Sequence, residues 1–139
     1  MIDTAVIDAS VAMKWFVEED DSDKALLLVQ STEVIAPALI IGEVANGLWS
    51  KRHASDIDRK VAQRLIGELP QIFREIVQIE PLMQEAMSLA FELDHPVYDC
   101  IYLALARSRG IPLVTADKRF IAKASIQDQH VASLADWKP

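Results

Sequence analysis

Short apolar, largely β-branched runs alternate along this chain with longer stretches whose apolar residues recur at helical spacing. Residues 4–8 form the first run, and Val34-Ile35-Ala36 the second, stopped by Pro37. Glu75 to Ile79 alternates as a third strand does, and Ile111 to Thr115 reads as a fourth. His130 to Leu134 is expected as a fifth strand at an edge. Between them, helices are expected over Val11–Phe16, Ser22–Gln30, Leu39–His53, Ser55–Leu69, Pro81–Leu93, Val97–Arg109 and Lys118–Ala124. Ser22 is read as an N-cap, and Ser55 with Asp58 as a capping box. Gly110 is read as a left-handed C-cap. Strands that are continuously apolar are covered on both faces, so the alternation predicts a mainly parallel sheet of four or five strands. The expected fold is a three-layer α/β/α domain spanning 1–139.

Two bulk properties narrow the function. One cysteine, Cys100, permits no internal disulfide. The N-terminus lacks a signal-peptide pattern, and no apolar run approaches the roughly 18 residues of a membrane span. A cytoplasmic protein is expected. The net charge of −7 argues against a nucleic-acid binder unless some carboxylates hold a cation, which would reverse the local field. Basic residues do cluster locally, at Lys51-Arg52, Arg59-Lys60, Arg107 with Arg109, and Lys118-Arg119 with Lys123.

Four acids stand where the pattern calls for apolar or turn residues. Asp8 ends the first strand and Asp117 follows the fourth, while Glu43 and Asp99 interrupt strongly apolar helices. In a parallel sheet, ligand sites form beyond the carboxyl ends of the strands, which brings Asp8 and Asp117 to one rim. Taken singly, each strand-end Asp is explained by helix capping, and Glu43 by a solvent-facing position beside the apolar stripe. Asp99 is favoured by the helix dipole in its first turn, yet its helix is apolar around most of its circumference. Neither Glu43 nor Asp99 has a Lys or Arg within one helical turn. Carboxylates gathered without a counter-ion repel, and at least one is expected to have a raised pKa. A hard divalent cation, Mg²⁺ or Mn²⁺, would relieve that repulsion and suits metal-assisted phosphodiester hydrolysis. Ser10 and Thr115 place hydroxyls beside Asp8 and Asp117, to orient a carboxylate or water or to satisfy turn amides.

Other chemistries lack their residues. His53, His95 and His130 share no zinc-ligand spacing with one another or with Cys100, and the four glycines match no phosphate-binding loop. Cys100 reads as a core residue, and Trp15, Trp49 and Trp137 as packing residues rather than base-stacking platforms. Gly47 is expected to permit a close helix approach.

The motifs Val6-Ile7-Asp8-Ala9-Ser10, Ile41-Gly42-Glu43-Val44-Ala45-Asn46, Tyr98-Asp99-Cys100-Ile101-Tyr102-Leu103-Ala104-Leu105-Ala106 and Leu113-Val114-Thr115-Ala116-Asp117-Lys118-Arg119-Phe120 occur in that order. Together they resemble the PIN-domain family, and within it the VapC-type toxins of toxin–antitoxin pairs. Cys100 departs from the small residue usual at its position. The resemblance implies a Mg²⁺- or Mn²⁺-dependent endoribonuclease with Asp8, Glu43, Asp99 and Asp117 as the acidic, metal-binding set. It also implies support from Asn46, a homodimer, and an antitoxin whose Arg-bearing tail occupies the acidic groove. Two other readings stay open at this point: a PIN-like module that only binds a partner, and a nuclease acting on DNA.

Overall fold

The computed structural model describes residues 3–139. Its sheet contains five strands: β1 (Thr4–Ile7), β2 (Glu33–Pro37), β3 (Glu75–Val77), β4 (Leu113–Thr115) and β5 (Val131–Ser133). Their order is β3-β2-β1-β4-β5 and every pairing is parallel. β1 is therefore the centre, with Val6 opposite Ile35 on one side and Leu113 on the other. Its residues Ala5, Val6 and Ile7 are all buried, as a strand covered on both faces requires.

The helices are α1 (Ala9–Ala12), α2 (Ser22–Ser31), α3 (Leu39–Ser50), α4 (Arg59–Glu68), α5 (Met83–Leu93), α6 (Val97–Arg109) and α7 (Lys118–Ala124). From β1 the chain moves outward through β2 to β3, then returns past β1 to β4 and β5. Right-handed crossovers place α1–α4 on one face and α5–α7 on the other, which is the three-layer arrangement. Helix α6 packs across β1, β2 and β4. Cys100 to Ala106 are all buried, so its apolar circumference reflects burial on every side. Burial also pushes the Cys100 thiol up to about 11, in keeping with a packing role. Gly110 closes α6 with φ of 64°, donating its N–H to the carbonyls of Ala106 and Arg107.

Several boundaries differ from the sequence reading. The first helix starts directly after Asp8 and continues as a 3₁₀ turn over Met13–Trp15, because Asp8 itself supplies the cap. Ser22 does not cap α2. Its hydroxyl accepts from the Glu19 amide at 2.9 Å and donates to the Val17 carbonyl, closing the preceding turn, while Asp21 enters the helix with φ of 65°. The cap of α4 is Asp58 rather than Ser55, accepting from the Val61 amide at 2.8 Å, and α3 ends at Ser50. A 3₁₀ turn over Glu80–Leu82 precedes α5, and β3 ends at Val77. Trp15 does pack, but Trp49 is 62% exposed with the Arg52 guanidinium 4.4 Å from its ring. At Gly47 a Cβ would stand 2.6 Å from Met13 Sδ, so the missing side chain leaves room for the Met13 thioether against α3.

Candidate active site

The sheet order has its switch point at β1, where one neighbour leads outward to β3 and the other to β5. Clefts form beyond the carboxyl ends of strands at such points. Asp8 follows β1 there, with Thr115 at the end of β4 beside it. Asp8 is 4% exposed and both its oxygens are engaged. Oδ1 accepts from the Ser10 hydroxyl at 2.5 Å and from the Val11 amide at 3.2 Å, and Oδ2 accepts from the Thr115 hydroxyl. Those hydroxyls in turn accept from the amides of Ala116 (2.9 Å, to Ser10) and Asp117 (3.1 Å, to Thr115). Ser10 and Thr115 thus orient the carboxylate and satisfy turn amides at the same time. Burial pushes Asp8 up to about 6; the two hydroxyls pull it back, and the charge of Asp99 adds to the rise.

Glu43 is in the second turn of α3, and its Oε1 accepts from the Tyr102 hydroxyl at 2.5 Å. Tyr102 reaches it from α6 and is 1% exposed. Burial holds its phenol well above the ordinary range, reinforced by the Glu43 charge. Burial likewise raises Glu43, Tyr102 lowers it, and Asp99 raises it further. Asp99 sits in the first turn of α6 with Oδ2 against His95 Nε2 at 2.5 Å. Its pKa is raised by burial, lowered by the His95 contact and raised by Asp117. Asp117 caps α7, its Oδ1 accepting from the amides of Arg119 (3.0 Å) and Phe120 (3.1 Å).

The four acids form one electrostatic group: Asp99 acts on both Asp8 and Glu43, and Asp117 acts on Asp99. Raised values were anticipated from mutual repulsion, but burial is the larger cause at all three shifted acids. Among the described residues no Lys or Arg forms an ion pair with any of the four. The reading of Asp99 as unpartnered is corrected by His95, which lies four residues before it. That spacing was the available signal. Tyr102 carried none, since its partner is 59 residues away in sequence.

With those bonds made, Glu43 Oε2, Asp99 Oδ1 and Asp117 Oδ2 accept no hydrogen bond from the described residues. Ser10, Glu43, Asn46 and Tyr98 line a cleft of about 400 Å³, with Glu43 as its one acid of the four. A larger cavity of about 560 Å³, bordered by Arg107, Asp128 and His130, holds none of the four acids. Among the described residues no group of three or more His, Cys, Asp or Glu side chains is already gathered closely enough to hold a metal ion. The donors are nevertheless all carboxylate oxygens, with unclaimed lone pairs and, apart from His95 on Asp99, no basic side chain set against them. That set suits a hard cation that keeps much of its own water, which one or two carboxylates can hold.

A family profile described as "PIN domain" matches residues 5–126. The chain is 31% identical over 121 residues to Ribonuclease VapC3 of Pyrobaculum aerophilum, covering 85% of this chain and 92% of that protein. It is 32% identical over 85 residues to Exonuclease VapC9 of the same organism, covering 61% and 62% respectively. A solved toxin–antitoxin complex from Klebsiella pneumoniae contains a chain of the same fold, with a TM-score of 0.69 at 21% identity, covering 94% of this chain and 97% of that one.

Proposed function

Because the chain belongs to the PIN-domain family, we propose that it is a Mg²⁺- or Mn²⁺-dependent endoribonuclease, the toxin of a VapC-type toxin–antitoxin pair. The observation that carries this reading is the acidic group at the β1–β4 switch point, part-buried and unmatched by Lys or Arg. Nucleases of this family generally depend on a divalent metal. A bound divalent ion there would make water a better nucleophile and stabilise charge developing on the phosphate.

The protein's own residues prepare the pocket. Ser10 and Thr115 fix Asp8 through both oxygens, so the carboxylate is held in one orientation. Tyr102 takes one oxygen of Glu43 and leaves the other for an ion or its water. Asp99 offers Oδ1, and Asp117 offers Oδ2 from a carboxylate anchored on the first turn of α7. Lys118 and Arg119 follow Asp117, are exposed, and form no ion pair among the described residues. They are placed to meet RNA phosphates, which offsets the acidic balance of the chain.

The partner in this reading is an antitoxin protein, whose Arg would satisfy the unclaimed oxygens when no metal is bound. A homodimer is part of the same proposal. Its support is that Met87 and Phe91, one turn apart on α5, are 45% and 82% exposed.

Linear and circular RNAs of one sequence, with a DNA counterpart, test the activity in Mg²⁺, Mn²⁺ or EDTA. Cleavage of the circle, dependent on metal and abolished in Asp99→Asn with the fold retained, is expected. Cleavage of linear RNA alone would favour an exonuclease, the reading raised by the relative named Exonuclease VapC9. Absence of cleavage on all substrates would leave a binding module instead.

A further inference from the structure

The imidazole of His95 has a buried setting that packing alone does not explain. Its side chain is 5% exposed and its ring lies 5.0 Å from that of Phe120, which is fully buried. Nε2 meets Asp99 Oδ2 at 2.5 Å, and the other ring nitrogen, Nδ1, is buried without any hydrogen-bond partner. A carboxylate acceptor requires the contacting nitrogen to be the donor, so Nε2 carries the proton and Nδ1 is the nitrogen left over. Leaving a buried polar atom unmatched costs stability. A phenylalanine would fill the same space against Phe120 without that cost.

We propose that His95 is a positioning residue for Asp99, holding Oδ2 so that Oδ1 is presented to the acidic pocket; this rests on the nuclease reading above. Asp99 is the third residue of α6, in the first turn after the Pro96 cap. The carboxylate is 26% exposed, so without a donor it could turn toward water instead. His95 precedes the helix and does not line the cleft that Glu43 borders, so it can hold the carboxylate without filling that cleft. The ring is fixed in turn by Phe120 on α7, the helix capped by Asp117. One aromatic contact thereby ties the placement of Asp99 to the element that carries another acid of the set. Partners of this kind, one layer behind a ligating carboxylate, commonly change metal affinity or activity by about 10–100-fold when removed.

The test compares wild type, His95→Phe and His95→Gln. Phe keeps the ring contact and removes the donor, whereas Gln returns an N–H at a similar reach. Mn²⁺ affinity is measured by calorimetry, and kcat and KM are measured on RNA. His95→Phe is expected to lower Mn²⁺ affinity and kcat by about 10–100-fold, with KM little changed and the metal-free melting temperature equal or higher. His95→Gln should recover most of both losses. Wild-type behaviour in His95→Phe, or equal losses in both variants, overturns the proposal. The hydrogen bond is also read on the wild-type protein by ¹⁵N NMR of the imidazole. A slowly exchanging Nε2–H that disappears in Asp99→Ala supports the placement, and a rapidly exchanging one overturns it even if a variant fails to fold. A wild type that neither binds Mn²⁺ nor cuts RNA while keeping the protected Nε2–H would sink the nuclease reading and leave the contact standing.

Discussion

Replacing Asp8 by Asn should make the metal-free protein more stable at neutral pH, a gain that shrinks as pH falls and turns into a small loss in acid, where Asp8 is protonated in both states. Burial moves the Asp8 pKa from 3.8 to about 6. The folded protein therefore retains this proton over an interval in which the unfolded chain has released it. Stability falls as pH rises through that interval, and the loss is complete above it. At ~1.36 kcal/mol for each tenfold change, the ionised carboxylate costs about 3 kcal/mol. Asn keeps the shape and can accept from one hydroxyl, but its NH₂ requires the other hydroxyl to reorient, at a cost of about 1 kcal/mol. The net gain near pH 7.5 is then about 2 kcal/mol, or roughly 8 °C in Tm for a chain of this size. Urea unfolding of EDTA-treated protein from pH 3.5 to 7.5, followed by circular dichroism, measures the difference. Glu43 and Asp99 are present in both proteins, so most of their own titration cancels. Adding Mg²⁺ at 100 times its Kd should restore about 2.7 kcal/mol to wild type and much less to Asn. A wild-type-to-Asn difference that stays flat with pH would refute the burial argument for Asp8.

Tyr102→Phe removes the donor that holds Glu43 Oε1, and should reduce cleavage by about 10-fold or more while changing stability by about 1 kcal/mol; an unaltered kcat would show that Glu43 needs no support from α6. Lys118→Ala and Arg119→Ala should each lower the salt dependence of RNA binding, the slope of log K against log salt falling by about 0.7 per lost phosphate contact. Filter binding in EDTA measures this, and an unchanged slope removes that residue from the RNA path.

The sequence was readable where local physics decides the outcome. Continuous burial on both faces made β1 and β4 visible as apolar runs, and the left-handed cap at Gly110 required only its own φ. The caps were less legible. Ser22 and Ser55 have suitable side chains, but Asp21 and Asp58 occupy the positions because the incoming turns set where each helix begins. Trp49 was expected to pack and instead lies on the surface, since its place on α3 leaves its ring beneath Arg52 rather than another helix. No described helix is long and apolar enough to cross a membrane, in line with the composition.

Four acids at discordant positions were evident from residue order alone, because a carboxylate interrupting an apolar pattern needs no partner to be noticed. Their association was another matter. The order β3-β2-β1-β4-β5 places the ends of β1 and β4 side by side, and that adjacency is a property of the assembled sheet. His95 stood at a spacing of four from Asp99, but Tyr102 became recognisable as the partner of Glu43 only after folding, because hydrogen bonding depends on distance in space and not along the chain. The chemical types of the site were thus inscribed locally, whereas which oxygens are engaged and which remain unclaimed was decided by packing.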